Sequence, residues 1–226
     1  MEKSIHFTQA YINFFERLSL NNNKDWFHAH KTEYENEVKK PFEKFVAQLI
    51  LEISKHENLG NIQAKQCISR INRDIRFSKD KSPYNLYLNA FISPFGSKDK
   101  SFPGLFIHFA PDMVGIMGGC YSPSTEQTGA IRTHIKHNLS EFEGYYSNKF
   151  FFEKFGDIQG ESIKRIPPEL KDIAKLEKLI LNKQWFFVAE REPDLLLSEN
   201  LLAEIMDYYF EAKPLNDFFK QAIKKA

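Results

Sequence analysis

LYLNAFISPFG (residues 86–96), GLFIHFAP (104–111) and MVGIMGGCYSP (113–123) decide the fold. Each is a short run rich in aromatic and β-branched residues. Turn signals separate them: Pro94-Phe95-Gly96 after the first, Pro111-Asp112 after the second. Runs of this kind read as strands, and the short connections between them suit antiparallel neighbours. The expectation is an antiparallel meander in the middle of the chain.

Upstream lies CISRINRDIRF, residues 67–77. Read as a strand, it places Cys67, Ser69, Ile71, Arg73, Ile75 and Phe77 on one face and Arg70, Asn72, Asp74 and Arg76 on the other. A helical stripe of Ile68, Ile71 and Ile75 is the alternative; the strand is preferred, at least through Asn72. Before it the period changes to three and four. Thr8 precedes a helix carrying Tyr11, Ile12, Phe14, Phe15 and Leu18. A long helical stretch from about Lys24 to His56 follows, interrupted or kinked at Pro41. Trp26, Phe27, Tyr34 and Val38 share one face of it, with Trp26-Phe27 read as a core anchor.

Downstream, Ser124 or Thr125 caps a helix to about His137, and Ser140 caps a shorter one. Residues 150–155 form a helical turn, and 163–168 a short strand or extended loop. Residues 172–182 are helical. WFFVAE (185–190) is a late strand. A helix runs from Ser198 or Asn200 to about Phe210, and Pro214 begins a last one ending in Lys224 and Lys225. Helices first, then a sheet, then helices with one late strand is the order of an α+β fold. The chain reads as a helix-rich single domain, residues 1–226, with N- and C-terminal helices packed around a mainly antiparallel central sheet.

Lys plus Arg number 31 and Asp plus Glu 30, a formal net charge of +1. That balance makes nucleic acid an unlikely partner and argues against an anionic membrane surface. No apolar run approaches the length of a membrane span. Cys67 and Cys120 are the only cysteines, which leaves no disulfide framework and no cysteine-based zinc site. The first residues, MEKSIHFTQAYINFFERL, lack the charged-then-apolar layout of a secretion signal, so the cytoplasm is the expected compartment. No cofactor and no metal are called for. His134 and His137 have a metal-compatible spacing but no accompanying carboxylate, and read as surface residues. Gly115 and Gly118-Gly119 match no phosphate loop and read as tight strand packing or a bulge. The oligomeric state is not legible.

Chemistry concentrates between Arg70 and Lys81. Arg70, Arg73, Arg76, Lys79 and Lys81 face only two carboxylates there, Asp74 and Asp80. Apolar residues interleave with them, so part of the run lies near the core, where an unpaired guanidinium is unfavourable. Two roles follow. In one, an internal Arg–Asp network pins the loop to the sheet. In the other, surplus positive charge around a loop closed by Pro83-Tyr84 holds a phosphate or carboxylate. Arg132, early in the helix after Gly118-Gly119, is a further candidate through the N–H groups at that helix start.

RINRDIRFSKDKSPY (70–84) resembles the signature of an uncharacterised bacterial and fungal family, domain of unknown function 2461. NNNKDWFHAHKTEYENEVKKPF (21–42) resembles its N-terminal pattern through Asn22, Trp26, Phe27, Tyr34, Val38 and Pro41. GIMGGCYSPSTEQTGAIRTHI (115–135) resembles its central pattern through Gly118, Gly119, Pro123, Ile131, Arg132 and Ile135, and Pro214 to Phe218 also fits. One stretch departs: the family's Lys-Arg-x-Pro-Lys-Gly is here KRIPPELKD, where Lys164, Arg165 and Pro167 match and Pro168-Glu169 replaces Lys-Gly. The resemblance implies a fold and no known activity. The functional expectation therefore rests on the residues: a module that binds, or acts on, an anionic small molecule through Arg73, Asp74, Arg76, Asp80 and Lys81, with Tyr84 and Arg132. The alternative is a non-catalytic scaffold or partner-binding protein whose cluster is an internal ion-pair network.

Overall fold

The structure, a computed structural model, describes residues 4–224; the expected terminal Lys225 lies outside them. Helix α1, Gln9–Leu20, buries Tyr11, Ile12, Phe14, Phe15 and Leu18, the three-four stripe its sequence carries. Thr8 precedes it in an extended conformation without a side-chain capping bond. Helix α2, Lys24–Ala29, is capped by Asn23, whose side chain accepts from the Trp26 N–H at 2.9 Å. Phe27 is buried, whereas Trp26 is only half-buried and stacks on His30 with ring centroids 4.0 Å apart. Phe27, rather than the pair, is the core anchor.

The helical stretch expected from 24 to 56 is not one helix. After α2 comes a short α3, Lys31–Glu33, then a π-helical segment, Tyr34–Lys39, and then α4, Lys40–Ile53. Pro41 gives the reason. In a regular α-helix its ring would collide with the Glu37 carbonyl and supply no N–H to it. Widening the preceding turn to i→i+5 bonding relieves that conflict and lets the helical path continue. Helix α4 then buries Phe42, Phe45, Val46, Leu49, Ile50 and Ile53.

The meander forms as expected: β1, Leu88–Ile92, β2, Leu105–Phe109, and β3, Val114–Cys120. With β4, Trp185–Arg191, they make a four-stranded antiparallel sheet in the order β1-β2-β3-β4. Leu105, Ile107 and Phe109 are buried while Phe106 and His108 are half-exposed, the period-two pattern of a strand with one face on a core. Gly118 and Gly119 are required by close approach. A Cβ on Gly118 would lie 2.5 Å from the Phe187 ring, and one on Gly119, at φ +95°, would lie 2.2 Å from the Trp185 carbonyl oxygen.

Residues 67–77 correct the strand expectation in part. Ala64–Cys67 is a short helix, α5, started by a Gln63/Gln66 capping box. Beyond it the chain is extended but pairs only through isolated antiparallel bridges, Ile68 with Ala90 and Asn72 with Tyr84. The Ser69 N–H donates to Asn89 O (3.0 Å), the Asn85 N–H to Ile71 O (2.8 Å) and the Arg73 N–H to Pro83 O (2.9 Å). The alternation holds to Ile75 and then fails: Phe77, placed inward by the pattern, is 95% exposed.

The remaining helices are α6, Thr125–His137, α7, Leu139–Tyr146, α8, Lys149–Phe155, α9, Ile173–Leu176, and α10, Leu201–Lys224. Asn138, not Ser140, precedes α7. Residues 163–168 form no strand among the described residues; a bridge from Ser162 to Asn182 ties the start of that stretch. Helix α10 runs unbroken through Pro214, where a new helix was expected. An interior proline costs about 3 kcal/mol. Burial on both sides of it outweighs that: Ile205, Met206 and Tyr209 before, Leu215, Phe218 and Phe219 after.

The chain gathers into two compact units: the residues up to Lys98 with 106–116 and 190–206, and 99–105 with 117–189 and the residues from Asp207 on. The first is held by Phe7 and Phe42 packed edge-to-face on Phe109 and Phe45 tilted against it; the Phe109 carbonyl accepts from the Tyr11 hydroxyl at 3.1 Å. In the second, Phe151 and Phe155 pack on Phe187, Trp185 donates to Leu179 O (2.8 Å), and Asn216 accepts from the Gly119 N–H (2.8 Å). Among the described residues no helix is long and apolar enough to cross a membrane.

Candidate functional site

In the 70–84 loop most of the charge is spent locally. Asp74 takes both Nε and Nη2 of Arg76, at 2.9 and 2.7 Å, which holds its carboxyl below the usual range and raises the guanidinium. Asp80 accepts from the Ser82 hydroxyl (2.7 Å) and N–H (2.9 Å) and pairs with Arg73. Those three donors, Ser82 foremost, hold the Asp80 carboxyl well below the usual carboxylate range. Arg73 also donates to Ser82 O at 3.2 Å, and Lys81 donates to Ile75 O at 2.9 Å. Tyr84 is buried with its ring stacked on Phe27 at 4.0 Å. Its backbone is clamped by Asn22, which donates to Tyr84 O (2.9 Å) and accepts from Tyr84 N–H (3.1 Å). Each charge predicted there as a ligand contact has a protein partner.

Arg132 belongs to the second unit and is spent too. Its Nε and Nη2 donate to the carbonyls of Ile180 and Asn182, both at 2.9 Å. The start of its helix is closed by a Ser124/Gln127 capping box. A hollow of about 430 Å³ there is lined, among the described residues, by Ser101, Ser122, Ser124, Glu126, Gln127 and Ile223, none of them a cation. His134 is not a surface residue: its ring packs on Phe218 at 4.3 Å, while His137 is exposed.

A different arrangement surrounds Arg70, which the bound loop leaves without a hydrogen bond or ion pair among the described residues. Arg70 lines a groove of about 210 Å³ in the first unit, between the helical stretch 34–43 and the segment 65–71. Phe42, Ile68, Ile71 and Leu88 supply its apolar surface; Tyr34, Lys39, Glu43, Lys65, Ser69 and Arg70 supply the polar groups. The π-helical segment frames it, beginning at Tyr34 and ending at Lys39. Such departures from α geometry are often found at functional sites. Lys39 is held by both oxygens of Glu35 at 3.0 Å. The side chains of Tyr34, Glu43, Lys65, Ser69 and Arg70 have no hydrogen-bond or ion-pair partner among the described residues. Burial, then the carboxylates of Glu35 and Glu43, push the Tyr34 phenol up, so it stays a neutral donor.

Reading the sequence alone missed Lys39, Glu43 and Lys65, which look like ordinary solvated helix charges. The signal that could have found them is Pro41: a proline inside unbroken three-four periodicity marks a helix that must change register nearby.

Fold and groove together describe a helix-rich α+β protein with a small, polar-rimmed groove in its N-terminal half. The chain belongs to the family described as conserved hypothetical protein (DUF2461), whose pattern matches residues 10–218. Among curated proteins none matches it.

Proposed function

We propose that this protein binds a small anionic metabolite, and that the site is the groove beside Arg70. One observation carries this: five polar side chains without a hydrogen-bond or ion-pair partner among the described residues converge on one groove over an apolar surface, with Lys65 and Arg70 among them. Concave, mostly apolar sites with a few convergent polar groups are where small ligands bind. The groove is smaller than the roughly 300–1,000 Å³ of drug-sized pockets, which favours a compact ligand. The internal ion-pair role belongs to the loop, whose Arg73, Asp74, Arg76, Asp80 and Lys81 hold one another and the backbone.

The test is a thermal-shift series with phosphate, sulfate, small carboxylates and phosphorylated metabolites. A ligand at a hundred times its Kd stabilises the folded state by about 2.7 kcal/mol. Arg70→Ala and Lys65→Ala should lose that response, and Arg76→Ala and Lys81→Ala should keep it. The opposite pattern returns the site to the loop. Silence of the wild type leaves the scaffold role standing.

The protein is further proposed to act in the cytoplasm. Cys67 and Cys120 are free and buried, and burial pushes the Cys67 thiol up to about 11, as suits unreactive thiols of a reducing compartment. Residues 1–226 are proposed to work as one domain, because β2, β3 and β4 each carry residues of both compact units.

A further inference from the structure

We infer that the ligand of the groove is bifunctional: an anion that also carries an ammonium or hydroxyl donor, bound by Arg70 and Lys65 at its anionic end and by Glu43 at its donor end. This rests on the groove being the anion site.

The two segments that form the groove differ in charge. Segment 65–71 contributes Lys65 and Arg70, both cationic, with the Ser69 hydroxyl between them. The helical stretch 34–43 contributes Lys39, already neutralised by Glu35, and Glu43, which is not neutralised. After internal pairing, one segment offers two positive charges and the other one negative charge. These opposite charges line the same groove, yet no ion pair joins Glu43 to Lys65 or Arg70 among the described residues. The space between them is therefore open to a ligand.

A bare anion answers only half of this arrangement. It would neutralise Lys65 and Arg70 while lying in the groove with the Glu43 carboxylate, which it repels and desolvates. An ammonium or hydroxyl on the same molecule gives Glu43 a donor and removes that penalty. The Tyr34 hydroxyl, kept neutral, supplies one more donor for the anionic end. At about 210 Å³ the groove limits the connecting chain to a few atoms. Short amino- or hydroxy-substituted phosphates and carboxylates are the class that fits.

The experiment compares matched probes on the full chain by calorimetry or thermal shift. Inorganic phosphate is set against O-phosphoethanolamine, and propionate against β-alanine. The substituted member of each pair should bind about tenfold more tightly or better, the usual gain from a hydrogen bond to a charged group. Glu43→Gln should abolish the preference and leave the phosphate response equal or stronger. Arg70→Ala should lower binding of all four. Melting curves establish that both variants are folded. Equal affinities within each pair, or a preference that survives Glu43→Gln, overturn the bifunctional ligand and leave the anion site intact. Silence of all four probes overturns both.

Discussion

The 73–84 loop and the groove beside Arg70 are neighbours in sequence and opposites in chemistry. In the loop, Asp74 takes Arg76, Asp80 takes Arg73 and Ser82, Lys81 takes a carbonyl, and Asn22 with Phe27 holds Tyr84. In the groove, the side chains of Tyr34, Glu43, Lys65, Ser69 and Arg70 make no hydrogen bond or ion pair among the described residues. Density of charge along the chain therefore does not locate a binding site. The site proposed above rests instead on charged side chains left over once the fold has made its own bonds. The loop has the greater concentration of charge and the groove more charged side chains without a bond among the described residues.

If this contrast is right, the loop should fail by stability and the groove by binding. The largest effect is expected at the loop's anchor. Tyr84→Ala should destabilise by roughly 3–5 kcal/mol in denaturant melts, the range for deleting a buried aromatic. A loss under about 1 kcal/mol would mean the loop is not held by that ring. Asn22→Ala, which strands the Tyr84 N–H and carbonyl, should cost about 1–3 kcal/mol, and loop amides should exchange faster with solvent. A neutral result would detach the loop from α2.

Arg70→Ala and Lys65→Ala should stay within about 0.5 kcal/mol of the wild type, as surface changes do. Their phosphate-induced shift should nevertheless vanish. Strong destabilisation of either without ligand would break the contrast and make the groove structural.

The smallest effect is a pH one. Asp80 has its folded value depressed by Ser82 and Arg73, and Asp74 by Arg76. A depressed carboxylate contributes stability above its ordinary value of about 3.9 and loses it as pH falls toward the folded value. Loop protection should thus persist at about pH 4 and fade only below it. Carboxyl titration by NMR should give Asp80 a midpoint under the ordinary one. A midpoint at or above it would mean the Ser82 and Arg73 contacts do not hold in solution.

Local pattern carried the sheet. Pro94-Phe95-Gly96 and Pro111-Asp112 fall where β1 and β2 end, and β4 covers the WFFVAE run. It failed where a long-range term decided. The three-four stripe around Trp26 is real, but packing chose Phe27 and left Trp26 half-buried. Pro214 looks like a helix start until burial on both its flanks is known. Phe77 followed the alternation of its neighbours, yet the pairing with 83–90 had already ended, and Arg76 lies 5.8 Å from its ring instead. The loop's charges were legible as a cluster. That their partners lie within the same dozen residues was one of two open readings. The groove was not legible, because Glu43, Lys65 and Arg70 meet only after two helices and a turn have brought them together.

The π-helical segment gives the groove an unusual hereditary fragility. A π turn houses one residue more than an α turn does. Removing a single residue from 34–39 would allow an ordinary ladder to re-form, in conflict with Pro41. Because the wide turn has already absorbed the extra residue, the stretch before it would keep nearly its present face. The cost would fall on the turn itself, where Pro41 offers no N–H and its ring meets the carbonyl four residues back. Point substitutions at Lys65 or Arg70 could alter what the groove accepts while leaving it in place. A one-codon deletion here would instead strain the helix that carries Tyr34 and Glu43, so the residues lining the groove are freer to change than the length of this turn.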